Sequence, residues 1–196
     1  ASTGMDALTH AIECYCSKKA NPFSDLYALE AIRLIARSIR RAVHQGQDLQ
    51  ARADLLLGAY WGGVCIATSS TTAVHALAYP LGGKYRMPHG LSNAILLPSI
   101  MAFNQVGSEA RFAAMARAMA LPVDGLSDSG AAGAFVQALR ELNHDLGVPD
   151  SLRSLNIQPD ELDGLVDGAA KVTRLLDNNP RALSRDDMRA LYAALI

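Results

Sequence analysis

The stretch DLLLGAYWGGVCIATSSTTAVHALAYPLGGK, Asp54 to Lys84, has no Asp, Glu, Lys or Arg between its two ends. A run of that kind is where a membrane span would be sought, and a span needs roughly 18 or more consecutive apolar residues. Gly58, Gly62, Gly63, the polar cluster from Thr68 to Thr72 and His75 interrupt it. The stretch therefore reads as the buried centre of a soluble helical protein, and as the place where its chemistry is expected.

Outward from it, 196 residues suit one domain with a substantial core. Half of the residues are hydrophobic, and 18 basic against 19 acidic side chains leave a formal charge of -1, which excludes a disordered tail and a polyanion binder. No nucleic-acid partner and no membrane are expected. Three cysteines, an odd number, without a signal-peptide opening argue for a reducing compartment, with the cytoplasm as the expected location. The first residues carry no initiator methionine and run straight into helix-like sequence, so the chain is expected to be cut from something longer.

Helical spacing dominates the rest. The first helix is expected over 7–15. After the Asn21-Pro22 break, Ser24 can cap a helix with Leu29, Ile32, Ala36, Ile39 and Val43 on one side and Arg33, Arg37, Arg40 and Arg41 mostly on the other, ended by Gly46. Further helices are expected over 48–67, over 72–81 with Pro80 and Gly82-Gly83 closing it, and over 91–103. In the second half they are expected over 109–120, 130–146 and from Pro159 to about Leu176. A last helix runs to Leu195, opened by the capping-box pair Ser184 and Asp187. No period-2 alternation is sustained, so the fold class is all-α: a helical, bundle-like domain over residues 1–196.

Asp6 and His10 stand four residues apart, one helical turn, and can converge on one point. Such a pair more often makes a plain hydrogen bond. His75 lies inside the uncharged stretch, where burial favours a neutral imidazole, the form a metal takes, although a lone core histidine is the commoner case. His89, in Pro88-His89-Gly90, sits at a rigid corner where proline fixes one backbone angle and glycine permits close approach. Three imidazoles and one carboxylate form a nitrogen-and-oxygen set suited to Fe(II) or Zn(II) rather than Ca or Mg.

The runs TGMDALTHAIE (residues 3–13), VHALAYPLG (74–82), MPHG (87–90), NAILLP (93–98) and DNNPR (177–181) resemble the iron-containing, group III alcohol dehydrogenase family, and the match spans nearly the whole chain. The resemblance implies a dehydroquinate synthase-like helical half that follows an α/β nucleotide-binding half, the latter absent from this chain. It implies Asp6, His10, His75 and His89 as ligands of a catalytic divalent metal, Fe(II) first and Zn(II) second. It also implies NAD or NADP in the full-length enzyme and a small alcohol, aldehyde or hydroxy-acid substrate such as lactaldehyde, hydroxybutyrate or maleylacetate. A homo-oligomer is expected, and the isolated chain is expected to be inactive without the other half, since it has no Gly-x-Gly-x-x-Gly loop.

Tyr79 stands where many members carry another histidine near the nicotinamide. It is the candidate catalytic residue, although its pKa near 10 makes it a poor substitute and a packed ring is the plainer reading. Thr71 is a second pocket candidate. Glu13, three residues after His10, either orients a ligand or makes a helix salt bridge. Cys14, Cys16 and Cys65 read as structural, His44 and His144 as helix-terminal placements, and the arginine cluster as a solvated or inter-domain face. Two rival functions are a metallohydrolase with Glu13 activating water and a non-catalytic helical scaffold derived from the enzyme.

Overall fold

A computed structural model describes residues 1–196. Its elements are α1 (Ser2–Cys16), α2 (Pro22–His44), α3 (Leu49–Thr68), α4 (Ala73–Tyr85), α5 (His89–Asn104), α6 (Glu109–Ala118), α7 (Asp128–Asp145), α8 (Leu162–Ala170), α9 (Thr173–Leu176) and α10 (Arg185–Ala193). Single 3-10 turns lie at Arg153–Leu155 and Pro159–Glu161. There is no strand, as the missing period-2 pattern requires. No helix is long and apolar enough to cross a membrane.

The packing is organised around α1. Met5, Leu8, Ala11 and Ile12 are fully buried, because α2 and α3 pack against α1 and so does α5. A second layer joins α4 to α5 and α8, α5 to α7, and α6 to α7, and residues of all these helices share one hydrophobic core. α2 begins at Asn21 rather than Ser24. The Asn21 side chain accepts from the Phe23 and Ser24 amides, while Ser24 Oγ accepts from the Asn21 amide at 2.9 Å, so Ser24 is the third helical residue of a reciprocal cap.

Two expectations fail, the first for a tertiary reason. Pro80 and Gly82-Gly83 do not end α4, which continues to Tyr85. α8 crosses close above Pro80, where a Cβ on Gly168 would lie 2.9 Å from the proline ring, and the Tyr192 hydroxyl donates to the Leu77 carbonyl at 2.6 Å in the turn that Pro80 interrupts. The single helix expected from Pro159 to Leu176 is split into a 3-10 turn, α8 and α9.

The uncharged stretch is buried only in its second half. α3 docks through a narrow strip of Ala51, Asp54, Gly58, Gly62 and Cys65, and its other side leaves Leu56 and Tyr60 exposed at 75% and 63%. The arginine face of α2 is tied down by acids: Arg33 to Glu30, Arg37 to Asp54, Arg40 to Asp145 and Arg41 to Asp48. Asp54 is the buried member. The Arg37 guanidinium, then the Ser38 hydroxyl at 2.6 Å and Gln50, hold its carboxyl down to about 2.

Because that pKa is depressed from an unfolded value near 3.9, the link stabilises the fold fully above about pH 4 and is lost as pH falls through about 2. Asp54→Asn is expected to cost about 1–2 kcal/mol at pH 7, discounted for the half-exposed arginine, with the difference from the parent shrinking between pH 4 and 2. Urea unfolding across that range measures it; a pH-independent difference contradicts the link.

Candidate metal centre

Glu13 prepares the site. It comes from the last turn of α1, is completely buried, and meets the start of α4. One oxygen accepts from the Val74 amide and the Thr72 hydroxyl, both at 2.7 Å, and the other accepts from His75 Nδ1. Burial pushes this carboxyl up, but the His75 charge and the bonds from His75, Thr72 and Val74 outweigh it and hold the group below the usual range. The anion thus caps α4, whose own N-cap residue, Thr72, makes no side-chain cap. It also fixes a tautomer: with Nδ1–H committed to Glu13, His75 turns the Nε2 lone pair inward.

That lone pair meets three other donors. Asp6 and His10 come from one face of α1, and His89 is the first residue of α5. From Asp6 Oδ1, the Nε2 atoms of His89, His75 and His10 lie at 3.6, 3.7 and 3.9 Å, and all four donor atoms fall within 4.8 Å of one another. A tetrahedral ion with bonds of roughly 2.1 Å needs donor separations of about 3.4 Å. The Asp6 separations exceed that by half an ångström or less and the widest of the others by about 1.4 Å, a gap that side-chain adjustment closes on an ion, and the donor chemistry, three imidazoles and a carboxylate, fits Fe(II) or Zn(II). Burial, then repulsion from His75, lowers the His10 pKa despite Asp6, which keeps His10 neutral and able to ligate.

The structure brings together the four residues that the sequence analysis singled out. Gly90 explains the corner at His89: a Cβ there would lie 2.5 Å from the Ser2 carbonyl, so only glycine lets α5 come this close to the start of α1. His75 is buried, Asp6 and His10 are partly covered, and His89 is half exposed, so the cluster opens to the outside past His89. Tyr79 borders that opening, its ring 6.0 Å from the His89 ring and nearly parallel to it. Its hydroxyl lies 3.5 Å from an Arg174 nitrogen, at the limit of a hydrogen bond. Thr71 is buried in the loop before α4, and the neighbouring Thr72 is the residue that reaches the site, through Glu13.

Asn93 is the residue that spacing reasoning passed over. Its Nδ2 lies 2.7 Å from Asp6 Oδ1 and 3.2 Å from the Nε2 atoms of both His75 and His89. The signal was present, since Asn93 stands one helical turn after His89. The Asp177-to-Arg181 segment braces the same framework from behind. Asn179 exchanges hydrogen bonds with Asn104 of α5 and faces the Ala73 amide, and the Arg181 guanidinium stacks 3.8 Å over Phe103. The cysteines are buried and unpaired, and His44 and His144 lie in last helical turns, away from the cluster.

The fold and the cluster define an all-helical domain that gathers one aspartate and three histidines at the junction of three helices. The chain belongs to the Fe-containing alcohol dehydrogenase family, whose C-terminal model matches residues 1–196. It is 40% identical over 192 residues to a 1,3-propanediol dehydrogenase of Klebsiella pneumoniae, covering 98% of this chain and 49% of that protein. It is 42% identical over 194 residues to long-chain-alcohol dehydrogenase 1 of Geobacillus thermodenitrificans, covering 99% and 49%. The crystal structure of a 1,3-propanediol oxidoreductase superposes with a TM-score of 0.96 at 39% identity, over all of this chain and 51% of that one. The chain thus spans about half the length of these relatives.

Glu13→Gln is expected to release the His75 tautomer. In the parent, nitrogen NMR of histidine-labelled protein should find His75 with Nδ1 protonated and Nε2 bare; in the variant the two forms should mix. A His75 protonated at Nε2 in the parent contradicts the geometry.

Proposed function

We propose that this chain is the metal-binding catalytic half of an NAD(P)-dependent alcohol dehydrogenase or aldehyde reductase, with Asp6, His10, His75 and His89 as ligands of one divalent ion, Fe(II) ahead of Zn(II). The observation that carries the proposal is the convergence of those four donor atoms within 4.8 Å, with Glu13 fixing the tautomer of the innermost imidazole. Iron is favoured because four protein ligands leave room for substrate only on an ion that takes a fifth, which tetrahedral zinc resists.

A divalent ion held there supplies Lewis acidity toward an alcohol or carbonyl oxygen, so that hydride can pass between the carbinol carbon and a nicotinamide. The chain's own residues do the rest. The bond between His75 and Glu13 holds the inner wall rigid, and His89 and Tyr79 form the rim that a substrate passes. The Tyr79 ring stacks beside His89 at the opening, which supports a role for its hydroxyl in orienting a substrate oxygen or relaying a proton to it. The nicotinamide assignment draws on relatives: an NAD-dependent methanol dehydrogenase of Bacillus methanolicus is 33% identical over 95% of this chain, and a sulfoacetaldehyde reductase of Bifidobacterium kashiwanohense, 27% identical with a TM-score of 0.84, was crystallised with NAD+.

An alcohol or aldehyde is the proposed substrate class, an α/β nucleotide-binding half the proposed partner, and the cytoplasm the proposed location. The exposed apolar side of α3 offers a surface for that half or for a second copy of the chain. The hydrolase reading loses its base, because Glu13 is wholly buried and bonded to three donors, with no oxygen free to activate water.

His89→Ala is expected to lower bound metal per chain sharply after anaerobic loading with Fe(II) and desalting, and an unchanged ratio contradicts the assignment. In the full-length enzyme, Tyr79→Phe should lower kcat by tenfold or more with little change in KM if the hydroxyl moves a proton, and by less than twofold if the ring only packs. Metal-dependent ester hydrolysis without nicotinamide would overturn the oxidoreductase proposal.

A further inference from the structure

Asn93 is fully buried, and its two ends are treated unequally. Nδ2 donates to Asp6 Oδ1 and lies 3.2 Å from the Nε2 atoms of His75, whose lone pair Glu13 turns inward, and of His89, while Oδ1 is buried with no partner at all. A buried amide carbonyl left bare is costly, so the orientation must be imposed from the other end. It is imposed by the donor cluster. Turned over, Oδ1 would face the Asp6 carboxylate and two imidazole lone pairs with nothing positive between them.

The –NH2 group is thus doing electrostatically what a cation would do: it presents positive charge to Asp6, His75 and His89 together. The two roles exclude each other, because a neutral imidazole Nε2 has a single lone pair, which can accept a hydrogen bond or bind an ion but not both. Glu13 leaves His75 no alternative, since its other ring nitrogen is already committed.

We propose that the Asn93 amide is a built-in stand-in for the metal. It lies against three of the four donors and must give up its two imidazole contacts when an ion binds, so it competes with the ion and sets the site's affinity. Asn93 is a positioning residue in this scheme. The inference rests on the metal assignment of the preceding subsection and adds a control on it.

The test is Co(II) binding, followed by visible absorption, to the chelator-stripped protein and to Asn93→Ala and the similarly sized Asn93→Leu. Loss of two competing hydrogen bonds is expected to tighten Co(II) binding on the order of tenfold in both variants. The metal-free variants should melt lower than the parent, and the Co(II)-loaded forms at nearly the parent's temperature. In the parent, the Asn93 side-chain amide resonances should move strongly on saturation with Zn(II), a readout that does not depend on any variant folding. Weaker Co(II) binding with an altered spectrum would make Asn93 part of the loaded site and overturn the proposal. So would unchanged affinity with equal melting losses in both states, or amide resonances that stay in place. Those results leave the metal assignment standing, whereas a parent protein that binds no Co(II) overturns both.

Discussion

A buried carboxylate sets the terms for the rest of this structure. Glu13 sits at zero exposure inside the helical core, where an unpaired charge would cost several kcal/mol. The fold meets that cost by bringing it the free amide end of α4, a threonine hydroxyl and an imidazole N–H. The same contacts therefore dock α4 on α1 and decide which nitrogen His75 offers to the cluster. Stability and site geometry are one interaction here, so weakening either end should be felt at both.

Around that contact the helices divide the work. α1 contributes two donors at one-turn spacing, α4 a buried one and α5 an exposed one, and the close crossing at Gly90 brings α5 within reach. α8 and α10 support the proline turn of α4, and the segment from Asp177 to Arg181 ties α5 and the start of α4 together from the far side. The site is thus held on helices whose positions are fixed by packing and by side-chain bonds remote from the cluster.

Much of this was legible in the sequence because it is local. The Asp6–His10 spacing, the proline and glycine beside His89, the uncharged surroundings of His75 and the Ser184–Asp187 cap all act within a few residues, and all lie where the spacing puts them. What stayed hidden depends on partners distant in the chain. Pro80 reads as a stop until Gly168 and Tyr192 are seen against it. α3 reads as buried because its composition is apolar, although only one strip of it finds a neighbour. Glu13 is ambiguous until Thr72 and Val74, about sixty residues on, supply its donors, and Asn93 looks like ordinary helix until Asp6 and His75, distant in the chain, join His89 around its amide.

X-ray absorption at the iron edge of the Fe(II)-loaded protein most directly probes whether the four donors share one ion. The geometry calls for a first shell of nitrogen and oxygen only, at about 2.0–2.2 Å, with the multiple-scattering pattern of three imidazoles. A sulfur shell, or a pattern accounted for by one imidazole or none, would mean that the ion sits elsewhere and that the cluster is not a metal centre.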